Sequence, residues 1–130
     1  MTLLLDTHVW VWRLLEPERL SARATRALSS PENAVHLSPI SVWETLVLVR
    51  RKRLSLDPDG PTWVRQALKR SRATMTPVTH DVAMRSEALD GFKARHPADR
   101  FLVATAIEHD FVLVTADEAM RRYKGVETLW

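Results

Sequence analysis

A chain of 130 residues, 27% charged and 45% hydrophobic, is long enough for one ordinary core and too apolar for disorder, so a single domain over residues 1–130 is expected. It has no cysteine, which excludes a disulfide scaffold and a thiolate metal site and fits a reducing cytoplasm. The net charge of +3 rests mainly on arginines in the runs 50–53, 65–72 and 121–124, which point toward a polyanionic partner but read equally well as solvated helix ends.

In chain order, residues 2–5 read as a short buried strand that meets an acid after three leucines, unlike a signal peptide. Residues 8–15 follow as a helix with Thr7 available as its cap, closed before Pro17, and 21–29 as a second helix. After a strand at 34–37, Ser38-Pro39 marks the clearest helix start in the chain, with a pattern running to about Arg53. The turn 57–61 leads to a helix over 62–72, then a modest strand over 74–78 and a helix over 81–89 capped by Thr79. An irregular connection over 92–97 precedes a helix over 99–108, an apolar strand over 111–115, a short basic helix from Asp117 to Tyr123 and a last strand over 126–130. Strands alternating with helices, the strands being continuous apolar runs, predict a parallel sheet covered on both faces by right-handed crossovers. No stretch is long enough to cross a bilayer, and no membrane role is expected.

The chemistry-bearing pattern is a set of acids at element ends. Asp6 ends one apolar run and Asp117 follows another, which places both at the edge of a parallel sheet where ligands gather. Glu44 shares a helical stripe with Ile40, Trp43 and Val47, and Asp99 shares one with Leu102, Val103 and Ala106, so both are expected to face inward. Carboxylates that converge without a counter-charge repel one another, and an oxygen-only set suits the hard ions Mg²⁺ or Mn²⁺. Taken singly, Asp117 also reads as an N-cap and Asp99 as an acid in a helix's first turn. Thr7 and Thr115 flank the expected pocket, where they would serve as caps or bind a water or substrate. Arg100 pairs with a carboxylate or reaches a phosphate. Tryptophans 10, 12 and 43 read as core, dimer face or partner groove.

Four segments in register, residues 4–12, 38–44, 96–102 and 113–117, resemble a PIN domain of the VapC toxin type across nearly the whole chain. The resemblance implies a three-layer α/β/α fold with a central parallel sheet. It implies a cytoplasmic, Mg²⁺- or Mn²⁺-dependent endoribonuclease in which Asp6, Glu44, Asp99 and Asp117 form the metal-binding quartet. It also implies a homodimer held in check by a small VapB-like antitoxin. The chain departs from many relatives at His96, where they carry an aspartate, so one firmly held ion is expected, with a second arriving with the RNA. The alternatives are a PIN-type nuclease that processes RNA outside a toxin-antitoxin pair and a non-catalytic PIN-fold interaction module. Receiver-like and haloacid-dehalogenase-like phosphoacceptor readings fit poorly, because Asp6 has no adjacent acid and His8 stands where the second aspartate of such a phosphatase belongs.

Overall fold

The computed structural model describes residues 1–94 and 96–130. Its centre is a five-stranded sheet in the order β3-β2-β1-β4-β5, with every neighbouring pair parallel. The strands are β1 (Thr2–Leu5), β2 (Ala34–Leu37), β3 (Thr74–Met75), β4 (Val112–Val114) and β5 (Thr128–Leu129). The helices are α1 (Thr7–Leu15), α2 (Ala22–Ser29), α3 (Pro39–Arg50), α4 (Gly60–Arg70), α5 (His80–Ser86), α6 (Pro97–His109) and α7 (Glu118–Arg122). The chain builds outward from β1 through β2 to β3, then crosses back to place β4 on the other side of β1. A strand-order reversal of this kind opens a crevice at the carboxyl ends of the two strands.

Alternation along the strands divides the core in two. Leu3, Leu5, Val112 and Val114 pack with Val9 and Trp10 of α1, Ala24 and Leu28 of α2, and Val64 and Ala67 of α4. Leu4 and Leu113, one residue out of phase, pack on the opposite face with Leu102, Val103 and Ala106 of α6 and Met120 of α7. Successive strand side chains point to opposite faces, so the unbroken run Leu3-Leu4-Leu5 serves both layers and all three residues are fully buried. The result is the three-layer α/β/α arrangement expected from the alternating pattern.

Helix starts follow side-chain chemistry. Ser21, Ser38, Asp59, Thr79 and Asp117 each accept a backbone N–H from the first turn of the helix they precede. Asp59 captures the amide of Thr62 and so starts α4 at Gly60, inside the segment expected to be a turn. The other departures lie at element ends. Helix α3 stops at Arg50, α5 ends at Ser86 and α6 begins at Pro97 behind an N-cap at His96. The edge strands β3 and β5 contain only two residues each, shorter than the expected 74–78 and 126–130, although the Thr76 amide and the Glu127 carbonyl still bond to β2 and β4. The irregular connection expected over 92–97 includes Arg95, which lies outside the described residues. Among the described residues no helix is long and apolar enough to cross a membrane.

Candidate functional site

Asp6 leaves the C-terminal end of β1 as the N-cap residue of α1, yet its carboxylate caps nothing. It turns instead toward β4, where the Thr115 hydroxyl donates to Asp6 Oδ2 at 2.7 Å. Thr115 Oγ1 also accepts the Asp117 amide at 3.0 Å, and Asp117 Oδ1 accepts the Met120 amide to start α7. One buried hydroxyl thus ties together the acids that end β1 and follow β4.

Thr7 does not cap α1, contrary to the expectation from its residue type. It is the helix's first residue and is fully buried, and its hydroxyl donates to Ser41 Oγ at 2.9 Å. Thr45 Oγ1 in turn donates to the Ser41 carbonyl at 2.7 Å. The Thr7–Ser41 bond therefore ties α3 to the start of α1, the Thr45 bond stays within α3, and Glu44 lies one turn beyond Ser41 on the same helix. Ser41 was not singled out by sequence reasoning; the signal was a pair of small polar residues, Ser41 and Thr45, four apart in an apolar helix.

Asp99 sits in the first turn of α6 and is 7% exposed. Its carboxyl is raised to about 7, first by burial and then by the negative charges of Asp6, Glu44 and Asp117. Asp6 is also raised, chiefly by burial and further by Glu44, against the opposing pull of the Thr115 hydrogen bond and of His8. The sequence-predicted acids are therefore close enough for each of the other three to act on Asp99. Among the described residues, however, no group of three histidine or acidic side chains already stands as a ligand set for one ion. The two observations concern different distances, since Coulomb repulsion acts beyond the reach of direct ligation. The donor set itself, all oxygen with excess negative charge, fits a hard divalent cation.

Arg100 has no carboxylate at ion-pair distance among the described residues. Its Nε donates to the Ser86 carbonyl at 2.8 Å and its Nη1 to the Phe92 carbonyl at 3.4 Å, so the guanidinium secures the chain between α5 and α6. Trp43, expected on an inward stripe, is 54% exposed. Beside the acids opens a cavity of about 580 Å³ whose walls include Thr7, His8, Trp12, Trp43, Glu44 and Arg51. Of the four acids it is Glu44 that lines this space, together with Thr7, His8 and Ala98, the chain neighbours of Asp6 and Asp99.

Removal of the Thr115 hydroxyl should expose how much the acids depend on it. Thr115→Val keeps the shape but leaves Asp6 without its donor and the Asp117 amide without its acceptor. The expected cost is about 1–3 kcal/mol in urea unfolding. Calorimetric titration should show Mn²⁺ affinity lowered by about 10–100-fold.

A parallel sheet with acids gathered at its reversal point defines an α/β/α protein. The PIN domain model matches residues 3–126, and the chain belongs to that family. It is similar to Ribonuclease VapC22 of Mycobacterium tuberculosis, with 35% identity over 99% of this chain and 98% of the relative. The structure of VapBC2 from Rickettsia felis bound to a DNA fragment from their promoter superposes with a TM-score of 0.74 at 16% identity, covering 100% of this chain and 99% of the other. A toxin-antitoxin complex from Klebsiella pneumoniae does so with a TM-score of 0.60 at 25% identity, covering 95% and 93%.

Proposed function

We infer that this chain is the ribonuclease toxin of a VapBC-type pair and hydrolyses RNA phosphodiesters with Mg²⁺ or Mn²⁺ at Asp6, Glu44, Asp99 and Asp117. The observation that carries the reading is Asp99, an acid driven to about 7 partly by the other three at the reversal point of a PIN fold. Burial together with this repulsion makes the ionised cluster costly unless a cation offsets its charge. The relative named as a ribonuclease supplies the substrate class.

The chain's own groups divide the work. Thr115 orients Asp6 and positions Asp117, and the Thr7–Ser41 bond fixes the helix that carries Glu44. Asp6, Glu44, Asp99 and Asp117 would hold the ion, which when bound would supply a water of lowered pKa and positive charge for the leaving oxygen. Arg19, Arg50, Arg51 and Arg53 line the cavity beside Glu44, where their guanidiniums would hold flanking phosphates of a single-stranded or looped RNA. His8, exposed and close enough to act on Asp6, stands where a proton enters or leaves the site. A VapB-like antitoxin, supported by the toxin-antitoxin complexes among the structural neighbours, completes the reading together with a homodimer and a cytoplasmic location.

The test is cleavage of RNA by the purified chain. Activity is expected with Mg²⁺ or Mn²⁺, none with excess EDTA, and a loss of at least about 10²-fold in a folded Asp6→Asn variant. Undiminished cleavage by that variant would reject the site. Growth arrest on expression, relieved by a co-expressed neighbouring gene of antitoxin size, tests the toxin role separately.

A further inference from the structure

A second hollow, of about 460 Å³, lies between α2 and α7 and is lined by Arg23, Glu118, Arg121, Arg122, Thr128 and Trp130. Arg122 is paired with Glu118 at 3.4 Å. Neither Arg23 nor Arg121 has a carboxylate at ion-pair distance among the described residues, and both are exposed. Arginines at the end of α7 have an ordinary explanation in the helix dipole, but that does not account for Arg23 meeting them from a different helix.

The hollow is connected to the acids by aromatic rings. Trp130, in its wall, lies 6.1 Å from Trp12 between ring centroids, and Trp12 lines the cavity that contains Glu44. The Arg19 guanidinium lies 4.2 Å above the Trp12 ring, and His8 lies 5.7 Å from it. His8, Trp12 and Trp130 thus make a row of rings from the catalytic crevice to the arginine hollow, His8 exposed and the two tryptophans partly so, with Trp130 resting on the core by its other side.

We propose that Arg23, Arg121 and Trp130 form a distal subsite for single-stranded RNA, holding phosphates of the segment that flanks the bond to be cut. The proposal rests on the nuclease reading and extends it by assigning where the substrate goes beyond the crevice. Arginine forks match phosphate oxygens. Free phosphate would have no use for the tryptophans, and a duplex would bury its base faces within its own stack. Unpaired bases use both features, stacking on the rings while the backbone follows the guanidiniums.

The experiment uses the full chain carrying Asp6→Asn to prevent cleavage, with binding read by fluorescence anisotropy. The probes are two single-stranded RNAs of about 4 and about 12 nucleotides, which span the usual site sizes of single-strand grooves. Adding Arg23→Gln and Arg121→Gln, both at exposed positions, should weaken the longer RNA by about 10-fold or more and leave the shorter one unchanged. Loss of two phosphate contacts should also make the slope of log affinity against log salt shallower by about 1.4. Trp130→Leu should weaken the longer RNA by about 10-fold without altering that slope. Wild-type affinity and salt slope for the longer RNA in the double arginine variant would overturn the subsite, as would an equal loss on both RNAs. Failure of the Asp6→Asn parent to bind either RNA would overturn the nuclease reading along with it.

Discussion

Asp99→Asn is expected to yield a protein that is more stable than its parent in EDTA at pH 8 and that no longer cuts RNA. Burial and three neighbouring charges hold the Asp99 carboxyl at about 7 in the folded chain, whereas the unfolded chain returns it to the ordinary carboxylate range. Between those values the native state binds more protons than the unfolded state, so stability falls as pH rises. The penalty is absent below about pH 4 and fully developed above about pH 7, where a displacement of about three units at ~1.36 kcal/mol each corresponds to a few kcal/mol. Asparagine removes the charge but still needs hydrogen-bond partners when buried, so the expected gain is smaller, about 1–2 kcal/mol. In scanning fluorimetry this corresponds to a rise in Tm of about 2–8 °C for each kcal/mol at pH 8, shrinking toward pH 4–5, where the parent's Asp99 is itself protonated. A stability gain with loss of activity is the signature of charge assembled for function at the fold's expense. An unchanged or lower Tm at pH 8 would mean that the other acids do not burden Asp99.

How much of this could be read from the residues depended on whether the deciding contact was local. The continuous leucines of β1 announced a strand buried on both faces, and the acids after β1 and β4 announced the edge at which a parallel sheet collects ligands. Capping serines and Asp117 also behaved as their residue types require, because a cap is settled within one turn of helix. Thr7 did not, since the helix begins one residue earlier, with Asp6 at the N-cap position, and the Thr7 hydroxyl points instead to a serine 34 residues away. Arg100 departed for a similar reason: carbonyls at the end of α5 and at Phe92 reach its guanidinium before any carboxylate does.

Trp43 shows the limit of periodicity. Helix α3 carries apolar residues on nearly every side, so a spacing of three and four does not reveal which side faces inward. The side buried most completely is marked by small polar residues, Ser41 and Thr45, and this turns Trp43 outward beside the cavity. The edge strands were overextended for a comparable reason. β3 ends at Met75, two residues before Pro77, and β5 pairs only through Thr128 and Leu129, lengths set by partner strands that sequence alone does not display. The acids' order along the chain was legible, but their separations were not, because those depend on how α3 and α6 are docked.

Mn²⁺ is expected to stabilise the chain strongly at pH 8 and only weakly at pH 5.5. An ion at the acid cluster must displace the proton that Asp99 holds up to about pH 7, and Asp6 is raised in the same direction. Below about pH 7 each unit of acidity therefore weakens binding by up to about 10-fold for each displaced proton. At pH 8, Mn²⁺ present at about 100 times its Kd adds about 2.7 kcal/mol. At pH 5.5 the same concentration adds about 1 kcal/mol or less, since displacement of one proton alone weakens binding about 30-fold. Glu44→Gln should reduce the stabilisation at pH 8, because it removes one of the proposed ligands, and should flatten its dependence on pH, because Glu44 is one of the charges that raise Asp99. Unfolding curves with Mn²⁺ and with EDTA at the two pH values separate this from nonspecific binding to surface carboxylates, which ionise near pH 4 and would give similar increments at pH 5.5 and pH 8. Equal increments would therefore place the ion away from Asp99 and dissolve the proposed metal centre, whereas a steep rise between the two pH values ties binding to the acid that its neighbours hold protonated.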